Sequence, residues 1–145
     1  MTADEPHAQQ ESVRAAISQT VERYLTAWNQ YDARALAETF MSDADFTNVA
    51  GVHMRGRQKV QIFHAPLFVG VFKGGRHTAI TRSIRMLSED LAAVDLDWEM
   101  DGLRGADGQP RPLRRGLMNW VLFRTPEGPW LILIMHNAEL ASSQR

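Results

Sequence analysis

Apolar residues in the first half of the chain recur every three or four positions, the spacing of one helix face. The first stripe begins near Glu11 and predicts an amphipathic helix; its members are Val13, Ile17, Val21, Tyr24, Leu25 and Trp28. Asp32 predicts the N-cap of a short second helix that buries Leu36, Ala37 and Phe40. Residues 1–10 are polar and predict a loose arm in front of the first helix.

A third apolar stripe follows Gly56 and predicts a third helix, with Val60, Phe63, His64, Leu67 and Phe68 on one side. Pro66 falls inside this stripe, so we expect a kink or a later start, because proline has no backbone N–H to donate. Gly74 and Gly75 predict the end of the helix. Residues 46–49 and 52–54 predict two short strands around Gly51.

The second half of the chain changes to the pattern of long strands. Four are predicted, over residues 77–87, 92–100, 114–124 and 130–138. The linkers between them are short and polar or rich in glycine and proline, which favours an antiparallel meander. With no internal repeat and no domain boundary, residues 11–145 read as a single α+β domain in which three N-terminal helices pack on a curved, mostly antiparallel sheet.

The last predicted strand is apolar on both faces. Strict alternation puts Trp130, Ile132, Ile134 and His136 on one face and Leu131, Leu133, Met135 and Asn137 on the other. A sheet with one solvated face alternates apolar with polar residues, so we expect both faces to be covered. Helices around an enclosed pocket would cover one face and a second copy of the chain, in a homodimer, the other. Burial of a central strand within one chain is the alternative.

Composition removes several classes of function. The net charge of −1 gives no broad basic face for nucleic acid or for an anionic membrane. No apolar run approaches the ~20 residues of a spanning helix, and the polar N-terminus does not resemble a signal peptide, so we expect a cytoplasmic protein. The absence of cysteine excludes disulfides and thiolate chemistry. The five histidines lack metal-ligand spacing and no glycine fingerprint follows a strand, so we expect neither a metal nor a cofactor.

Several short motifs resemble the nuclear transport factor 2-like superfamily. WNQYD at residues 28–32, the short helix after it, and DADF at residues 43–46 are similar to the opening of that cone-shaped α+β fold. Ketosteroid isomerase, polyketide cyclases, scytalone dehydratase and many binding proteins share the fold. More narrowly, His64, FKGGR at residues 72–76 and the pair His136-Asn137 look like the SgcJ/EcaC branch, often labelled oxidoreductase. The resemblance covers about residues 11–140 and implies a small-molecule pocket, with the reaction left open because one fold hosts many functions.

The resemblance also implies roles for two residues. Tyr24 matches the tyrosine that donates a hydrogen bond to the oxyanion in ketosteroid isomerase. The alternative is a packed tyrosine with its hydroxyl at a rim. Asn48 falls where that enzyme has a carboxylate base, and an amide cannot accept a proton near neutral pH. Asn48 would instead hold a substrate carbonyl or a water, unless it is a turn asparagine that binds its own backbone.

Two histidines are the remaining candidates for chemistry. His64 lies in an apolar helix stripe, where burial would keep it neutral as a base; a core histidine with one satisfied nitrogen is the alternative. His136 and Asn137 are neighbours on a strand and point to opposite faces, and we expect His136 to face the cavity. Asp95, Asp97 and Glu99 form an acidic row that predicts a solvated or salt-bridged face.

Large apolar residues supply a candidate wall for an aromatic ligand, although core packing explains each of them equally well. They are Trp28, Phe40, Phe46, Met54, Phe68, Trp98, Met118 and Trp120. The sequence therefore predicts a cofactor-independent enzyme that uses acid–base chemistry on a hydrophobic or polyketide-like metabolite. A non-catalytic protein that binds or sequesters such a ligand is the alternative. A third possibility is a cavity filled by side chains, with the sheet face binding a protein partner.

Overall fold

The computed structural model describes residues 5–141 of the chain. Three helices and six strands follow one another in an α+β order. They are α1 (Glu5–Asn29), α2 (Ala33–Ala37), β1 (Phe40–Thr47), β2 (His53–Arg55), α3 (Arg57–Val69), β3 (Arg76–Met86), β4 (Leu91–Asp101), β5 (Arg114–Arg124) and β6 (Trp130–Glu139). None of the helices in this range has the length and apolarity needed to span a membrane.

The helices depart from the sequence prediction at two ends. α1 already begins at Glu5, so residues 5–10 are helical rather than a loose arm, and residues 1–4 of that arm lie outside the described range. Its first turns contain alanine, glutamine and glutamate, which favour helix, and a proline is tolerated in a first turn. α3 continues through Pro66 but ends at Val69, before the predicted Gly74 and Gly75. Gly70 terminates it and donates its N–H to Leu67 O at 3.2 Å.

The six strands form one sheet in the order β2-β1-β6-β5-β4-β3. The antiparallel meander from β3 to β6 confirms the prediction, with each strand end within one residue of the predicted position. β1 is longer than predicted, because it starts at Phe40 and pairs in parallel with β6. Asp32 caps α2 as expected, accepting the Ala35 N–H at 3.0 Å.

A β-bulge in β6 overturns the predicted faces of that strand. Val121 of β5 pairs with Ile134 and Leu122 pairs with Ile132, so Leu133 is an extra residue without a partner. One extra residue reverses the alternation beyond it. Trp130, Ile132 and Met135 are consequently buried on the helix side of the sheet, while His136 is exposed on the opposite side. We call this opposite side the outer face.

The core lies between the helices and the sheet. α1 and α3 pack on the sheet through β3, β6 and β1. Every predicted wall residue is buried there, with at most 8% of its surface exposed: Trp28, Phe40, Phe46, Met54, Phe68, Trp98, Met118 and Trp120. The outer face is more open, since Ile80 is 74% exposed and Leu117 is 36% exposed.

Candidate functional site

Tyr24 carries the one phenolic hydroxyl of the deep core. It lies on the buried face of α1, one turn before Trp28, and is 3% exposed. Its ring contacts Trp120 edge-on at 5.0 Å between centroids and lies 6.1 Å from the ring of His77. The hydroxyl has no hydrogen-bond partner among the described residues, and burial raises the pKa of Tyr24 far above its ordinary value. It therefore remains a hydrogen-bond donor at any physiological pH.

His64 faces the core from α3, as its place in the apolar stripe predicted. Its Nδ1 lies 2.7 Å from the carbonyl oxygen of Val60, and the rings of Phe46 and Phe68 lie 5.4 and 5.7 Å from its own. Burial lowers the pKa of His64 to about 4, although the Val60 hydrogen bond opposes this effect. The imidazole is neutral near pH 7.

His77 is a second buried histidine, and the sequence interpretation did not assign it a role. It is the first inward-facing residue of β3, and its Nδ1 lies 3.1 Å from Glu99 O. Asn29 holds its backbone from both sides, accepting the His77 N–H at 2.7 Å and donating to His77 O at 2.8 Å. Burial, opposed by the Glu99 hydrogen bond and assisted by the charge of Arg114 and by His64, lowers the pKa of His77 to about 4. The sequence signal that could have identified His77 is strand alternation, which puts it on the same face of β3 as Ala79 and Thr81.

The tautomer of both histidines follows from their partners. A carbonyl oxygen only accepts hydrogen bonds, so Nδ1 must carry the proton in His64 and in His77. Each neutral ring then leaves an Nε2 lone pair, which has no hydrogen-bond partner among the described residues. The lone pair can accept a hydrogen bond or a proton.

Tyr24, His64 and His77 belong to one cluster of contacting rings in the core, and we call the Tyr24 hydroxyl and the Nε2 atoms of His64 and His77 the interior site. A chain of ring contacts links them, from His77 to Trp28 at 5.0 Å, to Phe68 at 5.5 Å and to His64 at 5.7 Å. Trp120 Nε1 is the only fully enclosed side-chain nitrogen or oxygen without a partner in the described chain. The three interior-site atoms also lack hydrogen-bond partners among the described residues, but they are not fully enclosed.

Asn48 and His136 are not brought to the interior site. Asn48 lies in the β1–β2 turn, where its Oδ1 accepts the N–H groups of Ala50 and Val52, both at 2.9 Å. Together with His136 it lines an open groove of about 620 Å³ that includes Asn119 of the outer face. The expectation that His136 faces the cavity is wrong, because the β6 bulge turns it outward.

Asn137 takes the inward position instead. Its Oδ1 accepts the indole N–H of Trp98 at 2.7 Å, so the amide fixes the orientation of an aromatic wall residue. Gly116, on the neighbouring strand, makes room for this ring, since a Cβ there would lie 2.5 Å from Trp98 Cζ2.

The acidic row of β4 lies on the outer face as a solvated and salt-bridged set, as predicted: Asp95 and Asp97 have partners and Glu99 is exposed. Asp97 accepts from Arg82 at 2.6 Å and 3.1 Å. Asp95 accepts from the Ser83 hydroxyl at 3.2 Å and from the Asn119 amide. These carboxylates point away from the interior site, so they supply no base to it.

Solved structures share this architecture. An uncharacterized protein with a cystatin-like fold from Caulobacter vibrioides has 26% identity and a TM-score of 0.77, over 88% of this chain and 89% of that one. A candidate scytalone dehydratase from Novosphingobium aromaticivorans has 17% identity and a TM-score of 0.81, over 93% and 89%. A ketosteroid isomerase-like protein from Erwinia carotovora has 17% identity and a TM-score of 0.74, over 88% and 96%. At 17% identity the last two show the fold alone.

A comparison with curated proteins found no match. The sequence model of the SnoaL-like domain, however, matches residues 21–128, a segment that runs from the middle of α1 to the turn before β6 and includes all three interior-site residues. The chain therefore belongs to the SnoaL-like domain family of the nuclear transport factor 2-like superfamily.

Proposed function

We propose that this domain binds a hydrophobic, polyketide-like small molecule at the interior site and transforms it by acid–base chemistry without a cofactor. Its family includes isomerases, cyclases and dehydratases. The observation that carries the proposal is the set of three polar atoms without protein partners in an otherwise aromatic interior. Buried polar groups are satisfied in most proteins, so three exceptions within one aromatic cluster favour a ligand that satisfies them.

The atoms at the interior site fit a proton transfer next to a carbonyl group. The Tyr24 O–H would donate to a substrate oxygen and stabilise negative charge as it develops there. The Nε2 lone pair of His64 or His77 would take the proton from the neighbouring carbon or hydroxyl. Asn48 and His136 have no part in this step, since their side chains lie at the outer face.

Binding without turnover is the second candidate function, and one observation favours it. A pKa of about 4 makes both histidines weak bases, although it keeps their lone pairs free to accept hydrogen bonds. We further propose that the chain belongs to the SgcJ/EcaC branch, that it forms a homodimer through the outer face, and that it is cytoplasmic. The 74% exposure of Ile80 on the outer face supports the homodimer.

Three substitutions test the proposal by removing one unpartnered atom each. Tyr24→Phe deletes the hydroxyl, and His64→Asn and His77→Asn delete Nε2 while an amide replaces the Nδ1 donor. The probe is 2-tetralone, an apolar bicyclic ketone with acidic α-protons, and the readout is the rate of its α-proton exchange in D₂O by NMR. His136→Asn is the matched control, since it removes an exposed histidine from the outer face.

We expect the unaltered chain to accelerate the exchange and each interior variant to lose about a hundredfold or more of the acceleration. The control should keep it. Saturation-transfer binding of the ketone that depends on the same three residues, without exchange, would establish the binding function instead. No binding and no exchange, or variants that behave like the control, would overturn the interior site.

A further inference from the structure

A second groove, larger than the one on the outer face, opens beside the interior site. It has a volume of about 1170 Å³ and lies between the α3–β3 connection, the β4–β5 connection and the end of β6. Its apolar lining includes Phe72, Leu103, Leu113 and Leu140, of which the last two are about half exposed. Four arginines also line it: Arg104, Arg111, Arg114 and Arg115. We call it the arginine groove.

Two of these guanidinium groups are committed to partners within the fold. Arg114 forms a two-pronged ion pair with Glu139, with both N···O distances at 2.8 Å. Arg104 donates to Gly108 O at 2.9 Å. The side chains of Arg111 and Arg115 have no hydrogen bond or ion pair with any described residue. Glu139 is the one acidic residue of the lining, and Arg114 already neutralises it, so the groove keeps an excess of positive charge.

Two further carboxylates lie near the unpaired arginines, although neither forms an ion pair with them, and Asp107 Oδ1 and Arg111 Nε both lie 2.9 Å from the position of a Cβ at Gly105. Glu99 pairs in register with Arg115 across β4 and β5, but it forms no ion pair with it. Asp107 belongs to the same loop as Arg111, and its Oδ1 accepts the N–H of Gln109 at 3.0 Å. Neither carboxylate lines the groove.

The loop that carries Arg111 is held by its own backbone. Gly105 donates to Gln109 O at 2.9 Å, and Arg111 donates to Leu103 O at 2.8 Å. Arg104 and Pro110 form an isolated bridge between these bonds. A Cβ at Gly105 would lie 2.9 Å from Arg111 Nε, so the glycine leaves space for the guanidinium. The cation is therefore positioned by an ordered loop.

The apolar part of the groove continues toward the interior site. The ring of Phe72 lies 5.2 Å from the ring of Trp28, which in turn lies 5.0 Å from the ring of His77. Leu103 packs beside the same tryptophan over Gly75. On the sheet side, Met100 contacts Arg114 at 3.9 Å and pairs in register with His77. The groove therefore ends on the packed aromatic and apolar side chains that border the interior site.

We infer that the arginine groove binds the oxyanion head group of an amphipathic ligand, with Arg111 and Arg115 as its partners and with the apolar body directed to the interior site. Guanidinium groups bind carboxylates and phosphates through paired N–H donors, so a carboxylate or phosphate on an aromatic body is the predicted chemistry. The placement of the body rests on the proposed function. The charge preference of the groove does not.

Matched ligands separate the head group from the body. 1-Naphthaleneacetate, 1-naphthyl phosphate and 1-naphthaleneethanol share one ring system and differ in charge. Each is titrated against the ¹⁵N-labelled chain, and both the affinity and the indole signals of the four tryptophans are followed by NMR. The same titrations are run on the double variant Arg111→Gln/Arg115→Gln and on Arg34→Gln, a control that removes an arginine exposed elsewhere on α2.

We expect the acetate or the phosphate to bind at least about tenfold more tightly than the alcohol, and the double variant to abolish this difference. The Arg34→Gln variant should preserve it. The anion that binds more tightly shows whether the groove prefers a carboxylate or a phosphate head group. Raising the salt concentration should weaken binding of the anions to the unaltered chain and leave the alcohol unaffected.

Three other outcomes separate the groove from the interior site. Equal affinity of the alcohol and both anions, or anion binding that survives the double variant, overturns the arginine groove and leaves the interior site intact. Anion binding that requires both arginines but moves no indole signal supports the groove and contradicts the interior position of the body. Failure of all three ligands to bind overturns both.

Discussion

Two buried histidines should make this domain lose stability as the pH falls below neutral. Burial lowers the pKa of His64 and of His77 to about 4, whereas a histidine in an unfolded chain titrates near 6.5. The unfolded chain therefore binds protons first as the pH falls through 6.5. The stability that both residues permit at pH 7 is lost progressively until the pH reaches about 4.

The size of the effect follows from the two pKa values. Lowering a pKa from 6.5 to about 4 corresponds to about 3 kcal/mol per histidine, of which about 2 kcal/mol falls between pH 7 and pH 5. The pair should therefore cost about 4 kcal/mol over this interval. That is a large share of the ~5–15 kcal/mol by which domains are stable.

The assay is urea unfolding at pH 7, 6 and 5, followed by tryptophan fluorescence. His64→Asn and His77→Asn keep a donor for Val60 O and Glu99 O but cannot titrate. Each should therefore reduce the pH-dependent loss by about 2 kcal/mol. The exposed His136 gives the control variant, His136→Asn, which should lose as much stability as the unaltered chain.

We expect the carboxylates of Asp45 and Glu139 to contribute little to the change in stability between pH 7 and pH 5. Hydrogen bonds from Arg55 and from Arg114 lower the pKa of Asp45 and of Glu139, respectively, so their contributions are lost only at more acidic pH. A double variant, His64→Asn/His77→Asn, that still loses about 4 kcal/mol between pH 7 and pH 5 would refute the reasoning. The interior histidines would then not be held neutral by burial.

Three further predictions concern the wall, the β1–β2 turn and the reaction. Gly116→Ala should destabilise the domain by about 1–3 kcal/mol in urea unfolding, because its Cβ meets Trp98 and a β6 carbonyl; unchanged stability would contradict this packing. Asn48→Ala should cost about 1 kcal/mol and Asn48→Asp less, with 2-tetralone binding unchanged by saturation transfer; weakened binding would return Asn48 to the site. Tetralone exchange, if catalysed, should show no acidic fall between pH 8 and pH 6, because His64 and His77 stay neutral there; a half-maximal rate near pH 6.5 would contradict it.

The strands of the second half were predictable because their signals are local. Short linkers that are polar or rich in glycine and proline separate them, and the alternation within β4 matches its buried face. β1 was predicted too short because the residues that start it gain their partner from β6, more than ninety positions away in the chain. Strand pairing over that sequence distance cannot be detected from a short stretch of the sequence.

The predicted site failed at β6 for the same reason. The bulge at Leu133 depends on pairing with β5, and it reverses the faces of His136 and Asn137. His64 was predictable because a single helix face decides its direction. His77 was missed because it starts a strand, where one residue of uncertainty in the boundary leaves its role unassigned.

The structure places His77, and not His136, among the inward-facing residues, and this changes the chemistry expected of the interior site. A carbonyl oxygen anchors Nδ1 in both inward histidines, and the two carbonyls come from a helix and from a strand. Under the proposed function, the interior site offers a ligand two lone pairs and one hydroxyl donor, with no charge of its own. Such a set suits a neutral substrate region that carries hydroxyl and carbonyl groups. We place any charge on the ligand at the arginine groove, where two guanidinium groups without protein partners are available to bind it.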